Sequence, residues 1–346
     1  MRYIIILFFL LFSLFTNAQG IDDDKDMKVD TIGIISVNYE EGRNLFDSDG
    51  LLRVSLSFDI RQFKKGKRDP EYQDAVLKIY FPDSPVVEKN IQLKPRGIRR
   101  LEHCHFPPIK LNFKKIAFED EYLDQQSTMK FVTHCKTSKY YESFILKEYL
   151  IYKMYNLLTD YSFRVRLVEM EYIDIARDKK VLVKYGFFIE HLNFLSVRNN
   201  ANAIKNDRYS RRMMDRKMMS RMALFEFMIG NTDWSVTGQH NIKLLKLNDL
   251  SMPSPYPVPY DFDYSGMVDT DYSVPAESFN IESVRDRVYR GVCLGNYFVL
   301  EEIEYFKEKK QEFFDLINDF PYMEKGDKRE MISYLDSFYS IIEYEE

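Results

Sequence analysis

Alternation of apolar and polar positions dominates the first half of the chain. Apolar and polar residues alternate at nearly every position of LLRVSLSFDI (51–60) and IKLNFKK (109–115), which predicts half-buried β-strands. AVLKIYF (75–81) is rich in β-branched and aromatic residues and predicts another strand. Two longer apolar runs, at 164–175 and 180–191, predict two more strands. The first half of the chain is therefore predicted to be rich in β structure.

Helical periodicity appears in the middle and at the end of the chain. Residues 140–158 place apolar side chains three and four positions apart and predict one long helix. A Met-rich stretch from Arg212 predicts a second helix that ends at Gly230. Beyond residue 297, the stretches 299–317 and 328–344 predict two amphipathic helices.

The order of these elements predicts two lobes. A polar run at 196–212 separates the strands and the first helix from the helical part, and is interpreted as a connection between lobes. The expected fold class is α+β, with a β-rich N-terminal lobe over residues 32–195. One long helix belongs to that lobe, and a mainly helical C-terminal lobe covers residues 196–346.

The N-terminus has the pattern of a cleavable export signal. Arg2 supplies positive charge, residues 3–15 are apolar, and small residues lead to a cleavage site after Ala18. The expected layout is a signal peptide over residues 1–18 and an acidic linker over 19–31. We therefore expect a periplasmic or secreted protein. No second apolar stretch is long enough to span a bilayer, so no stable membrane span is expected after cleavage.

Composition restricts the class of protein further. The chain has 346 residues, of which 45% are apolar, so it can bury a large core and wholesale disorder is excluded. Its 49 basic and 54 acidic residues give a net charge of −5, which argues against a nucleic-acid partner. An exported protein can also form disulfides.

Three cysteines are present: Cys104, Cys135 and Cys293. Because Cys104 and Cys135 lie in the same predicted sheet region, a bridge between these two is the preferred pairing. Free thiols and a zinc site remain alternatives, since three of the five histidines lie beside these two cysteines. Those histidines are His103, His105 and His134.

The segment 230–266 carries the candidate chemistry. After the predicted helix end, a polar loop contains Asp233, His240 and Asn241, and the apolar strand IKLLKL follows at once. A Pro-rich turn leads to PVPY, which is followed by Asp261. If the two strands pair as a hairpin, Asn241 and Asp261 meet at the same end, beside Asp233.

Carboxylate and amide oxygens around one point are suited to Mg²⁺, which prefers hard oxygen ligands. Asp263 lies two residues beyond Asp261 and would join the same group. The alternative is structural, with Asp233 and Asn241 capping turns and Asp261 opening the next loop. The location of both groups at one predicted hairpin end favours the metal site.

These motifs, in this order, resemble the catalytic segment of atypical protein kinases. KPRGIRRLEHCHFPPIKLNFKK (94–115) is similar to the Arg-Gly motif and Lys-bearing strand of spore-coat CotH kinases, and DFDYSG (261–266) to their Asp-x-Asp-x-x-Gly-like segment. HipA-type kinases are more remotely similar. The phrases IGNTDWS and PVPYDFD also resemble a group of exported kinase-like proteins. The resemblance covers roughly residues 90–270 and implies a two-lobed protein-kinase-like fold.

The resemblance implies roles for individual residues. Asp233 would act as catalytic base or orient the acceptor hydroxyl. Asn241 and Asp261 would hold metal ions, with Asp263 close by. The residues implied for nucleotide binding are Lys110, Glu148 and Arg96.

Three departures from the kinase pattern leave alternatives open. Eight positions separate Asp233 from Asn241, where ordinary kinases have five, and none of the 13 glycines forms a clear phosphate loop. Lys130 is an alternative to Lys110 as the nucleotide lysine. Glu142 is an alternative to Glu148.

The expected function is an exported kinase-like phosphotransferase that uses ATP with Mg²⁺ or Mn²⁺ on a protein or glycan hydroxyl. The same expectation includes nucleotidyl transfer, in which the nucleotidyl group of ATP is transferred in place of the phosphoryl group. One alternative is a catalytically silent kinase-like envelope protein that binds or scaffolds a partner. Another is a metal-dependent phosphohydrolase built on the same oxygen cluster.

Overall fold

The alternating segments of the first half fold as β-strands whose apolar sides face a common interior. The computed structural model describes residues 45–46, 48–82, 84–114, 116–118, 121–178, 180–204, 209–275, 277–292 and 297–343. The predicted signal peptide and acidic linker therefore lie outside the described residues, as does Cys293. The first seven strands are β1 (Leu52–Phe58), β2 (Gln73–Tyr80), β3 (Val87–Pro95), β4 (Ile109–Asn112), β5 (Thr128–Val132), β6 (Val165–Asp174) and β7 (Lys180–Ile189).

These seven strands close into a barrel with the order β1-β2-β3-β4-β5-β7-β6. All neighbours are antiparallel except the closing pair, in which β1 runs parallel to β6 with Leu52 opposite Val168. Alternate residues of each strand fill the interior, among them Leu56, Leu111 and Phe131, all fully buried. The barrel interior is therefore a packed apolar core.

The described helices are α1 (Ile60–Lys65), α2 (Arg99–His103), α3 (Glu121–Asp124), α4 (Lys139–Leu158), α5 (Leu192–Arg198), α6 (Arg216–Ile229), α7 (Tyr297–Glu308), α8 (Lys310–Asn318) and α9 (Lys325–Glu343). The long helix predicted over 140–158 is confirmed as α4. The single helix predicted over 299–317 is wrong, because α7 and α8 are separate helices that meet at Lys309.

The predicted two-lobed, protein-kinase-like fold is wrong. The chain is a mixed α+β protein in which a closed barrel replaces the β-rich lobe. One apolar core joins α4 and the outer sides of β6 and β7 to α6, α8 and α9, so it crosses the predicted lobe boundary between residues 195 and 196. The predicted lobe connection at 196–212 includes the end of α5 and the strand β8 (Ala201–Ile204).

A second, three-stranded sheet carries the predicted hairpin. Its order is β10-β9-β8, where β9 is Ile242–Leu247 and β10 is Tyr256–Pro259. Ile242 pairs with Pro259 in antiparallel register, so the predicted hairpin is confirmed. Asn241 and Asp261 consequently flank the same end of the hairpin.

The end of α6 requires a glycine. Gly230 closes the helix with φ of 67°, in the left-handed region that glycine enters without strain because it has no Cβ atom. A Cβ atom at this position would lie 2.0 Å from the hydroxyl of Tyr334 on α9. The turn between α6 and the loop that follows it is therefore fixed both by backbone conformation and by the packing of α9.

Among the described residues, no helix is both long enough and apolar enough to cross a bilayer.

The predicted bridge between Cys104 and Cys135 is confirmed. It joins the C-terminal end of α2 to the turn before α4, and both cysteines are buried against Tyr272. Of the three neighbouring histidines, His134 is fully buried against Phe106 and His103 stacks on Tyr272. The bridge therefore ties the short helix α2 to the start of the central helix α4.

Removing the bridge is expected to lower stability substantially. The double variant Cys104→Ala/Cys135→Ala releases a cross-link between residues 31 positions apart, and its free energy of unfolding should fall by about 3–4 kcal/mol in the chain-entropy model. Urea unfolding followed by circular dichroism measures this change. Cys293→Ala is the control, because it removes a thiol without affecting the bridge. Equal midpoints for the two variants would contradict the prediction.

Candidate functional site

The loop after α6 holds Asp233 by contacts on several sides. The Asp233 N–H donates to Asn231 Oδ1 at 3.0 Å. Asn241 Nδ2 donates to the Asp233 carbonyl oxygen at 2.8 Å and to its Oδ2 at 3.1 Å. His240 Nε2 lies 2.9 Å from the other carboxylate oxygen, Oδ1. The Asp233 carboxylate is thus oriented while 39% of its side chain remains exposed.

His240 interacts with Asp233 electrostatically as well as by its hydrogen bond. The hydrogen bond to Asp233 raises the pKa of His240 above its ordinary value, and burial opposes this change only in part. Because the amide nitrogen of Asn241 is committed to Asp233, its Oδ1 is the side-chain atom left to serve as a ligand.

Asp261 and Asn241 both have backbone conformations in the left-handed region. Their φ angles are 65° and 52°, which cost roughly 1–2 kcal/mol for a residue other than glycine. The Tyr260 N–H donates to the Asn241 carbonyl at 3.0 Å, and the Asp261 N–H donates to the hydroxyl of buried Tyr152 on α4 at 2.8 Å. Such conformations are often retained where function requires a particular side-chain direction.

A buried arginine joins residues 261–266, called the metal segment from here on, to α4. Arg100 on α2 donates from Nη2 to Glu148 Oε2 at 2.5 Å and from Nε to Asp263 Oδ2 at 2.8 Å. The hydroxyl of Tyr272 donates to the same Asp263 oxygen at 2.9 Å. Arg100, Glu148 and Asp263 are all more than 90% buried. Asp263 is therefore held by the protein itself.

Negative charge is in excess at this point. Three carboxyl groups, those of Glu148, Asp261 and Asp263, lie near one guanidinium, that of Arg100, which is in direct contact with Glu148 and Asp263 only. Burial, with the nearby Asp263 and Asp261 charges adding to it and Arg100 opposing it, raises the pKa of Glu148 to about 8. Burial and then the Asp263 charge raise the pKa of Asp261 to about 6, although Arg100 and Arg96 oppose this. A cation bound at Asp261 would relieve the repulsion.

The described residues contain no group of three His, Cys, Asp or Glu side chains arranged to hold a metal ion. Mg²⁺ usually binds proteins through one or two carboxylates, with waters and substrate phosphates as its other ligands. Asp261, whose carboxylate accepts no hydrogen bond from the described residues, and Asn241 Oδ1 fit that pattern. Asp263 fits it less well than predicted, since one of its oxygens is occupied by Arg100 and Tyr272.

Two of the predicted nucleotide residues, Arg96 and Lys110, lie at different strands of the barrel. Arg96 follows β3, and its N–H donates to the Pro108 carbonyl at 2.9 Å. Its charge is close enough to Asp261 to oppose the rise in the pKa of that carboxyl. Lys110 is buried at the middle of β4, where it is paired in register with Lys94 and with its alternative, Lys130. These lysines alternate with the core residues of the barrel and so lie on its outer side.

Glu148 and its alternative Glu142 have separate partners. Glu148 is bound to Arg100, whereas Glu142 forms an ion pair with Lys184 at 2.8 Å on β7. The cation at Glu148 is therefore an arginine that the sequence interpretation did not select. Sequence reasoning also missed Tyr152 and Tyr272, whose hydroxyls hold Asp261 and Asp263. The run RGIRR next to the Arg-Gly motif is the only signal that could have directed attention to Arg100.

Comparison of the chain with protein-family models gives no match, and comparison with curated proteins gives none either.

Proposed function

We propose that the chain is an exported, Mg²⁺-dependent phosphotransferase that moves a phosphoryl group from ATP to a hydroxyl of a protein or glycan. The observation that carries this proposal is the excess of negative charge beside Asn241 and Asp261, next to an oriented and partly exposed Asp233. Phosphoryl transfer depends mainly on positioning and charge neutralisation, and these are what such a group of residues can provide. The proposal rests on the site and does not require the two-lobed fold.

Each residue has a defined task in this proposal. Asn241 and Asp261 would hold Mg²⁺, which supplies the positive charge that neutralises the phosphate oxygens of ATP. Arg96 would face the same phosphates. As the acceptor oxygen bonds to the γ-phosphorus and the bond to ADP breaks, Asp233 takes the proton of the acceptor hydroxyl. Its contacts with Asn241 and His240 keep the carboxylate in one orientation.

Arg100 and Glu148 support the metal segment in this arrangement. By fixing Asp263, Arg100 sets the course of the backbone immediately after Asp261. Glu148 in turn anchors Arg100 to α4. Lys110 remains a predicted phosphate ligand, on the outer side of the barrel.

The test is nucleotide binding by the mature protein, residues 19–346. We expect its melting temperature to rise saturably with ATP only when Mg²⁺ or Mn²⁺ is present, because ligand binding to the native state stabilises it. Asp261→Asn removes the charge without changing the shape and should lose this rise. Asp249→Asn, in the exposed turn between β9 and β10, should retain it.

Two results would contradict the proposal. The first is a wild-type protein whose melting temperature does not respond to any nucleotide with either metal. The second is an Asp261→Asn variant that responds as strongly as the wild type.

A non-catalytic envelope binding or scaffold protein is the second candidate. The observation that favours it is the pair of ion pairs that Arg100 forms with Glu148 and Asp263, which commits this buried cation to contacts within the protein. In that case Mg²⁺ and ATP would bind weakly or not at all, and ATP would not be consumed in the presence of envelope extracts. Metal-dependent ATP consumption that Asp233→Asn abolishes would exclude this candidate.

A further inference from the structure

Arg290 contacts the backbone on both sides of Asp233. Its Nη1 donates to the carbonyl oxygen of Thr232 at 2.6 Å and to that of Trp234 at 2.7 Å. Arg290 lies far along the chain, in the irregular segment 281–292 that follows the metal segment. The guanidinium therefore holds the peptide group that precedes Asp233 and the one that follows Trp234, at either end of this two-residue stretch.

The guanidinium also contacts two aromatic rings. Its central carbon lies 4.5 Å from the centre of the Trp234 ring and 4.7 Å from that of Phe279. Trp234 is almost completely buried, in a cluster that includes Met219 and Met222 of α6. Contact with two aromatic rings restricts the positions of the guanidinium while it donates to the two carbonyls.

We propose that Arg290 is a positioning residue for Asp233. It holds the backbone around Asp233 while Asn241 and His240 hold the carboxylate, so that the carboxylate is presented to the acceptor hydroxyl in a fixed direction. This inference rests on the proposed function. It adds a residue outside the region that resembles known kinases, which ends near residue 270.

The same segment provides a matched control. Arg287, like Arg290, is half-buried. The central carbon of its guanidinium lies 3.8 Å from the centre of the Tyr334 ring. The guanidinium donates to the carbonyl oxygens of Met228 and Tyr334. Its hydrogen bonds therefore tie α6 to α9 and do not reach the Asp233 loop. Arg287→Ala should reproduce the general cost of removing such an arginine without affecting Asp233.

The first measurement uses fluorescence and does not depend on catalysis. Trp234 is the only tryptophan in the chain, so its emission reports directly on this loop. Arg290→Ala should shift the emission to longer wavelength and increase quenching by acrylamide. Arg287→Ala should leave both unchanged. Unchanged Trp234 emission and quenching in Arg290→Ala would overturn the inference.

The second measurement separates positioning from nucleotide binding. In ATP consumption with an envelope extract as acceptor, Arg290→Ala should lower kcat about 100-fold while KM for ATP stays within about twofold, because the metal ligands are untouched. Arg290→Lys keeps the charge and should recover part of the rate. Equal loss of kcat in Arg287→Ala and Arg290→Ala would overturn the inference. A wild-type protein that consumes no ATP would overturn the proposed function, and with it this role of Arg290.

Discussion

Replacement of Arg100 by methionine is expected to lower the free energy of unfolding by about 3–5 kcal/mol, because it leaves two buried carboxylates without their cation. Glu148 and Asp263 are both within hydrogen-bond distance of the guanidinium, and neither is more than 10% exposed. Methionine preserves most of the side-chain volume, so the loss reports on charge more than on packing. Urea unfolding at pH 9, above the pKa of Glu148, measures it.

The neighbouring residue gives the control for this experiment. Arg99 belongs to the same short helix but is exposed, and Arg99→Met should change stability by less than about 0.5 kcal/mol. The effect of Arg100→Met should also become smaller as the pH falls, since protonation neutralises the stranded carboxyls. A loss that is equal in the two variants, or independent of pH, would contradict the buried ion cluster described above.

Replacement of Glu226 by glutamine is expected to remove a pronounced pH dependence of stability. Glu226 lies on α6 and is 1% exposed. Burial, with the Asp233 charge adding to it and Asn231 and Arg290 opposing it, raises the pKa of its carboxyl to about 8. The unfolded chain releases this proton near pH 4.5, so between pH 4.5 and 8 the folded state binds more protons than the unfolded state.

The sign of the effect follows from this difference. The stabilisation by the neutral carboxyl is complete below pH 4.5 and is lost as the pH rises to about 8, at about 1.4 kcal/mol per pH unit. Glutamine does not titrate and resembles the neutral acid. We expect Glu226→Gln to unfold with nearly wild-type stability at pH 5 and to be more stable by about 4 kcal/mol at pH 8.

Unfolding by urea at several pH values measures this slope. Glu304→Gln on the exposed side of α7 is the control and should leave the wild-type profile unchanged. Parallel profiles for Glu226→Gln and the wild type would show that Glu226 is ionised in the folded protein.

The hairpin and the helix ends could be predicted because their signals are local. Residues 242–247 and 256–259 are close in sequence and are joined by a Pro-rich turn, so their pairing required only that both be strands. Gly230 ends α6 because of its own backbone freedom. The meeting of Asn241 and Asp261 followed from these two features.

The barrel could not be predicted from the same signals. Its closure depends on the pairing of β1 with β6, and alternation within a strand gives no indication of which distant strand will be its neighbour. The pattern at 109–115 predicted a strand with Lys110 on one side. It gave no indication that this side is the outside of a closed barrel.

Arg100 was missed for a different reason. Arg99 and Arg100 are adjacent and of the same type, yet one is exposed and the other is buried between two carboxylates. A helix of five residues is too short for periodicity to distinguish them. The difference is set by Glu148 and Asp263, which the chain brings together from later segments.

The pairing of β1 with β6 also determines the order in which the barrel can assemble. Strands β1 to β4 each pair with the next one along the chain, so these pairs can form as the strands are synthesised. One edge of β1 must wait until residues 168–174 are available, and such distant pairings make folding slow. Until then that edge is an open template for association with another chain. Closure of the barrel is thus both the last step of its assembly and its protection against aggregation.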